Sequence, residues 1–363
     1  MADERSRDAD RKRSKRAAER TVTIPRVIDW DRRKRLEQDD IEWLCWYFGD
    51  GSGVNSPFTY HPTEQQIEMV SAVRHALKTG ESAARAMSRG EGKSMWMRRL
   101  LIKMAIEGAV RYALVFAATA TEAEGMLESL KHEIEANDRL ADDYPELVYP
   151  VRAVVESPQS ASSQLVTGVN EKTAETYVQH SSKFHWAGPR VTFPNVPGTT
   201  YENVCIATKG LEGAVRGTNY KGIRLELALI DDPDTEDTAE SVKAADKLER
   251  RIIRAIGGAG SQTKSVPMVL LSTIQTRTSV SARFTDPMLH PAFHGRRYRY
   301  LVSPPKHREM WDRYVLMKQD DMRNGTTCAL DYYRENREAM DLGAEVSNPH
   351  RFGGDQLSSL QNY

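Results

Sequence analysis

The chain has 363 residues, 39% of them apolar and 28% charged, with 51 Lys and Arg against 51 Asp and Glu for a formal net charge of zero at pH 7. This balance excludes a globally basic nucleic-acid binder, so any DNA-facing basic surface has to be local, and no run approaches the ~18 apolar residues of a membrane helix. The three cysteines, Cys45, Cys205 and Cys328, lie far apart without metal-ligand spacing, which fits reduced thiols and argues against a disulfide framework.

Residues 1–22 are charge-dense and poor in apolar side chains, the composition of a disordered tail and not of a secretory signal. Arg11, Lys12, Arg13, Lys15 and Arg16 could touch nucleic acid or simply remain solvated. Residues 28–48, IDWDRRKRLEQDDIEWLCWYF, suggest a helical lead-in in which Trp30, Trp43, Trp46 and Tyr47 serve packing. His61-Pro62-Thr63 then opens a helix, with proline and threonine near its cap. Ile67, Val70, Val73, Ala76 and Leu77 fall on one face. Gln66 projects from its first turns, about 25 residues before the glycine loop described next. A carboxamide donates and accepts at once, which suits an adenine edge, although the same position suits a surface glutamine.

Residues 86–94 read AMSRGEGKS. SAARAM before them has the pattern of a buried strand, and MWMRRLLIKMAIEG after them that of an amphipathic helix. Strand, glycine loop and helix form the context of a phosphate-binding loop. Gly90 and Gly92 let the backbone, Glu91 between them included, turn its N–H groups onto phosphate oxygens. The helix start behind them adds partial positive charge. Lys93 would reach the β- and γ-phosphates of ATP, and Ser94 would ligate Mg²⁺. Met87 stands where the common pattern GxxxxGK[ST] has its first glycine, so the loop has to begin differently.

AVRYALVFAAT (109–119) is a second buried strand, and TEAEGMLESLKHEIEAN a capped helix, giving a right-handed α/β unit. VRAVVESP (151–158) suggests a strand and residues 159–182 a polar loop. Residues 190–194 and 203–208 read as strands. KGLEGAVRGTNYKGIR (209–224) is a glycine-rich basic loop containing Arg216. Glycine on either side lets this arginine extend toward a neighbour's γ-phosphate, toward DNA phosphate, or to a nearby acid. LELALI ends in Asp231, Asp232 and Pro233, where an open parallel sheet places its ligands. Asp231 would hold Mg²⁺ and Asp232 would polarise the attacking water, with Glu236 as the other candidate base. A helix over about 238–256 follows, and then PMVLLSTI, whose Ser272 and Thr273 could sense a γ-phosphate or cap a loop. RYRYLVSPP and WDRYVLMKQDDM look like a small appended subdomain.

In order along the chain, HPTEQQ (61–66), RGEGKS (89–94), AVRG (214–217), LIDDP (229–233) and LLSTI (270–274) resemble the ATPase half of the large terminase subunit of tailed bacteriophages. The resemblance covers residues 25–363. It implies an α/β fold, namely a P-loop NTPase (RecA-like) core with a mostly parallel sheet flanked by helices, plus a small helical linker subdomain. The expected organisation is a tail (1–22), a helical lead-in (23–60), the ATPase core (61–303) and the linker (304–363). It also implies hydrolysis of ATP with Mg²⁺ to drive double-stranded DNA into a capsid. The expected partners are a small terminase subunit and a portal, the expected assembly a ring, and the expected place the cytoplasm of an infected bacterium with no membrane contact. Arg89 joins the catalytic and phosphate-binding set, because this family often carries arginine before GxGK. The resemblance also favours Arg216 as an arginine finger acting on a ring neighbour. Two departures stand out. The second acid of LIDDP is Asp232 where the family often has glutamate, and no further strand-borne carboxylate cluster follows the linker, so nuclease activity is not expected from these residues. A helicase-like nucleic-acid ATPase is the alternative, but its second α/β core would not fit in the roughly 90 residues after Thr273.

Overall fold

The computed structural model describes residues 21–156, 164–170, 172–213, 219–259 and 265–350. An eight-stranded sheet runs through it, made of β1 (Ala83–Ala86), β2 (Tyr112–Ala117), β3 (Trp186–Ala187), β4 (Arg190–Thr192), β5 (Cys205–Gly210), β6 (Leu227–Asp231), β7 (Met268–Ser272) and β8 (Arg296–Arg297). Their spatial order is β8-β1-β7-β6-β2-β5-β4-β3. The pairs from β8 to β5 are parallel, and β4 and β3 are added antiparallel at the far edge. The strand before the glycine loop (β1) and the strand that ends in the aspartates (β6) thus flank a third, β7. This is the RecA-like P-loop arrangement expected from the motifs.

Parallel strands are buried on both faces, which explains their nearly unbroken apolar runs. Alternate residues feed two cores. Ala113, Val115, Leu227, Leu229, Val269 and Leu271 face one of them. Tyr112, Leu114, Phe116, Ala228, Ile230, Met268 and Leu270 face the other. The first core is covered by α1 (Trp30–Glu37), α2 (Asp40–Tyr47), α3 (Glu64–Thr79), α4 (Lys93–Ile106), α5 (Ala120–Glu135), α6 (Asp138–Asp143) and α7 (Pro145–Glu156). On the second lie α9 (Val242–Arg251) and α10 (Val280–Phe284), after the short α8 (Glu236–Glu240). Beyond the sheet, α11 (Arg308–Asn324) and α12 (Cys328–Asp341) pack on each other around Tyr314, Ala329, Tyr333 and Met340.

The lead-in is two helices, capped by the Asp29 and Asp39 side chains. Trp43 and Tyr47 are completely buried, as packing residues should be, whereas Trp46 is 36% exposed, with the Arg32 and Arg139 guanidiniums over its ring. Both helices are fastened to α4 through buried cations. The Lys103 ammonium donates to Asp40 Oδ1 at 2.7 Å and to Glu37 O at 3.0 Å. The Arg99 guanidinium lies over the Phe58 and Phe48 rings and donates to Glu133 Oε1 at 3.0 Å. A side chain that sequence alone would place in solvent is therefore buried, because each charge finds a carboxylate or an aromatic face.

Four local expectations change. The tail assigned to residues 1–22 ends inside a strand, since Thr21–Thr23 pairs in parallel with Gln164–Val169, and residues 1–20 lie outside the described part. VRAVVESP is not a strand, because 151–156 belong to α7, where Leu147, Val148, Val151 and Val154 recur at helical spacing and bury one face. Residues 164–182 are not a loop but an antiparallel hairpin, Gln164–Val169 with Thr176–Ser182; its Thr, Ser and Gln residues satisfy a strand while disguising it as polar. In α3, Ile67 is 42% exposed, and Met69 and Ala72 turn inward with Val70, Val73 and Ala76.

One close approach sets the position of α5. A Cβ on Gly210, at the end of β5, would lie 2.4 Å from the Ala120 backbone nitrogen and 2.8 Å from the Thr119 carbonyl carbon. Backbone atoms cannot swing aside, so Gly210→Ala is expected to lower unfolding stability by about 1–3 kcal/mol, measured by urea denaturation against wild type.

Candidate active site

The glycine loop leaves β1 at the carboxyl edge of the sheet. Met87 still continues the strand, donating its N–H to Ser272 O at 3.0 Å. The bend comes at Gly90 (φ +87°) and Gly92 (φ +73°), a conformation other residues adopt at a cost. Gly92 is also the N-cap of α4 and supplies no side-chain cap, so the first-turn N–H groups are left for another acceptor.

Lys93, the first residue of α4, is buried, with 7% of its side chain exposed. Its ammonium donates to Thr273 Oγ1 at 2.9 Å and pairs with Asp232 Oδ2 at 2.9 Å. It therefore ties the loop to the ends of β6 and β7. Asp232 is held in turn. Its N–H bonds Leu271 O at 2.9 Å, and its Oδ1 accepts the Thr273 N–H at 2.7 Å. The residue has φ +36°, a left-handed conformation that Asp tolerates and that folds its carboxylate back over β7.

Asp231, the last residue of β6, has a buried Oδ1 without a hydrogen-bond partner among the described residues. Burial raises its pKa to about 6; a hydrogen bond from Ser94 and the charge of Lys93 oppose the shift, and the neighbouring Asp232 adds to it. Asp234, two residues on, was not singled out by its sequence. It is 7% exposed and accepts the N–H groups of Val280 at 2.8 Å and Ser281 at 2.9 Å, anchoring the acidic loop to α10.

An opening adjoins the loop. A cleft of about 150 Å³ is lined by 57–61, Thr63, Gln66, 90–92, Met95, Trp96 and Asn348. Gln66 is 8% exposed and forms a capping box with Thr63, whose N–H donates to Gln66 Oε1 at 2.9 Å. Its Nε2 donates to Glu91 O at 2.8 Å. Glu91 is 2% exposed, and its Oε2 accepts from Asn348 Nδ2 at 3.2 Å. Asn348 lies 257 residues away in sequence, and no local signal marks it.

Of the residues predicted from sequence, Lys93, Ser94, Asp231, Asp232 and Thr273 converge at the strand ends, with Gly90, Glu91, Gly92 and Gln66 beside them. Arg89 stands exposed in the loop, and Glu236 is exposed in the first turn of α8. Arg216 lies outside the described residues. Among the described residues, no group of three or more His, Cys, Asp or Glu side chains could hold a metal, and no helix is long and apolar enough to cross a membrane.

No family model and no curated protein sequence matches the chain. Among solved structures it is similar to a point-mutant form of the large terminase ATPase domain of Thermus phage P74-26, at 13% identity over 58% of this chain and 69% of that one, with a TM-score of 0.30. It is similar to the Phi-28 gp11 DNA packaging motor, at 10% identity over 55% of this chain and 48% of that one, TM-score 0.29. A third structure is the SWI2/SNF2 ATPase core of Sulfolobus solfataricus in complex with dsDNA, at 11% identity over 82% of this chain and 60% of that one, TM-score 0.31.

The raised Asp231 pKa has a sign that can be checked. The folded state holds this proton more tightly than the unfolded chain, so the group costs stability above pH 6 and nothing below about pH 4. In metal-free, nucleotide-free protein, Asp231→Asn is expected to be more stable than wild type at pH 7.5, by on the order of 3 kcal/mol. The gap should narrow to about 1 kcal/mol as the pH falls to 4.5, as followed by denaturant unfolding at the two pH values.

Proposed function

We propose that the chain is the ATP-hydrolysing motor of phage genome packaging, which couples ATP turnover to movement of double-stranded DNA into a capsid. The observation that carries the ATPase part is the buried Lys93 ammonium, set between Thr273 and Asp232 behind a glycine loop whose helix start is uncapped. The packaging part rests on the ordered motif set and its resemblance to terminase large subunits. On the same basis the partners are double-stranded DNA, a small terminase subunit and a portal, and the working assembly is a ring.

The acid residue and hydroxyl present fit Mg²⁺. Asp231 Oδ1 is a buried oxygen lacking a partner among the described residues, and Ser94 stands within hydrogen-bond reach of the same carboxylate. A hard cation that keeps several waters and shares phosphate oxygens needs no larger protein cage. Ser94 and Asp231 would hold Mg²⁺, which would supply neutralisation of charge on the nucleotide phosphates.

The chain's own residues then have distinct tasks. The N–H groups at Gly90, Glu91 and Gly92 and at the start of α4 receive phosphate oxygens. Lys93 exchanges Asp232 for the phosphate, and this exchange frees Asp232 Oδ2. Asp232 Oδ1 stays on the Thr273 N–H, so the freed oxygen keeps its orientation and can accept a proton from the attacking water. Thr273 links the same carboxylate and the same lysine, which suits a sensor of phosphate. Gln66 offers its remaining N–H and lone pair to adenine. Arg89, exposed in the loop, adds charge on the phosphate side, and Arg216 serves as the finger supplied to a ring neighbour.

Lys93→Ala is expected to cut DNA-stimulated ATP turnover by at least about 10²-fold, since positioned charge is most of the catalysis here. Its circular dichroism and melting should stay those of a folded protein. Near-normal turnover in that folded variant contradicts the assignment.

The acid pair separates by measurement. Asp231→Asn should weaken Mg²⁺-dependent nucleotide binding. Asp232→Asn should bind ATP as tightly as wild type or tighter, because Lys93 loses a competing partner, while turnover falls by about 10²–10⁴-fold. Full activity in Asp232→Asn combined with loss in Glu236→Gln would move the base to Glu236.

A further inference from the structure

The cleft beside the glycine loop has an outer wall that comes from the far end of the chain. Past α12, residues 345–346 form a short antiparallel pair with Leu301–Ser303, and the Ser347 N–H bonds Tyr300 O at 2.8 Å. The chain then reaches the cleft. Asn348 Nδ2 donates to Glu91 Oε2 at 3.2 Å, and the His350 imidazole stacks on Tyr60, with ring centroids 4.7 Å apart and planes 8° from parallel. Tyr60 and Asn348 both line the cleft, with Phe58, Trp96, Met95 and Gln66.

We infer that this cleft receives the purine base of the nucleotide and that Asn348 is a base-contacting residue which helps set adenine over guanine. The inference rests on the ATPase reading above and adds a residue to it. Three features support it. The lining is flat and apolar where a ring would lie: Phe58 stacks on Trp96 at 4.3 Å with planes 20° apart, and Pro57 and Met95 border them. Next, two of the polar residues lining it, Gln66 and Asn348, are carboxamides, the groups that match a heterocycle edge carrying both a donor and an acceptor. Finally, Gln66 is held by the protein on both of its polar atoms and has one group of each kind to spare, so a second carboxamide adds a contact to the base that Gln66 does not make. Its Oε1 is bonded to the Thr63 N–H and its Nε2 to Glu91 O, leaving one hydrogen and one lone pair. Asn348 supplies a second carboxamide on the same cleft, held there through Glu91. Because Glu91 sits between Gly90 and Gly92, a base against Asn348 and phosphates on the loop are sensed through one residue. The α11–α12 hairpin precedes Asn348 in the chain, so base occupancy also bears on how that hairpin is tethered.

The test compares ATP, GTP and inorganic tripolyphosphate, which has no base, in equilibrium binding to the full chain with Mg²⁺. Asn348 is only half-buried, so its replacement leaves the core intact. Asn348→Ala is expected to weaken ATP about fivefold to tenfold, the worth of one hydrogen bond to a base. It should narrow the ATP-over-GTP ratio and leave tripolyphosphate unchanged. Asn348→Asp, which keeps an acceptor and loses the donor, should alter the ratio without restoring it. An unchanged ATP-to-GTP ratio in both variants overturns the inference while the ATPase reading stands. Equal losses for ATP and tripolyphosphate also overturn it, since Asn348 would then act only by bracing Glu91 and the loop. If wild type binds none of the three, the ATPase reading falls and this inference with it.

Discussion

A buried ammonium needs partners, and Lys93 takes them from two strand ends at once. Its bonds to Thr273 and Asp232 fix the glycine loop against β7 and β6. The sheet order makes this necessary, because β7 lies between the loop's strand and the acidic strand. One side chain thus spans three adjacent strands at the edge where ligands bind in open parallel sheets. The same pairing keeps Asp232 occupied. On the function proposed above, a nucleotide phosphate would take the lysine from Asp232, and phosphate arrival would thereby be linked to exposure of a base.

The neighbouring acid shows the opposite arrangement. Asp231 is placed where its carboxylate is desolvated and one oxygen lacks a partner among the described residues. Such a group weakens the fold, and on the function proposed above a cation would offset that cost, a trade of stability for function of the kind expected at active sites. Asp234 compensates nearby, locking the acidic loop onto α10 with two backbone N–H groups. The lead-in helices brace the other side. Arg99 and Lys103 project from the same helix that begins at Lys93, so the phosphate-side helix is anchored along its length to residues 37–58.

Much of this was legible in the sequence because it is written locally. Short, mostly apolar runs leading into Ser, Thr or Asp marked β1, β2, β6 and β7. Thr63 and Thr119 each form the capping boxes that their neighbours Gln66 and Glu122 announce. The convergence of Lys93, Asp231, Asp232 and Thr273 followed from putting those strand ends on one edge. What escaped was non-local or chemically disguised. The hairpin at 164–182 is built from Thr, Ser, Gln and Tyr, which pair well in strands but read as polar loop. Helix α7 carries Pro150, which hid its 3.6-residue period. Arg99, Lys103 and Arg85 look solvent-bound until their carboxylates, Glu133, Asp40 and Glu68, are seen. Asn348 is visible only in three dimensions.

The central claim is that Lys93 passes from Asp232 to the nucleotide. A crystal structure with Mg²⁺ and a non-hydrolysable ATP analogue tests it most directly. The account predicts Lys93 Nζ at about 3 Å from β- or γ-phosphate oxygens, beyond hydrogen-bond reach of Asp232, with Asp232 Oδ2 turned to a water. An analogue bound elsewhere, with the Lys93–Asp232 pair still closed, would contradict it.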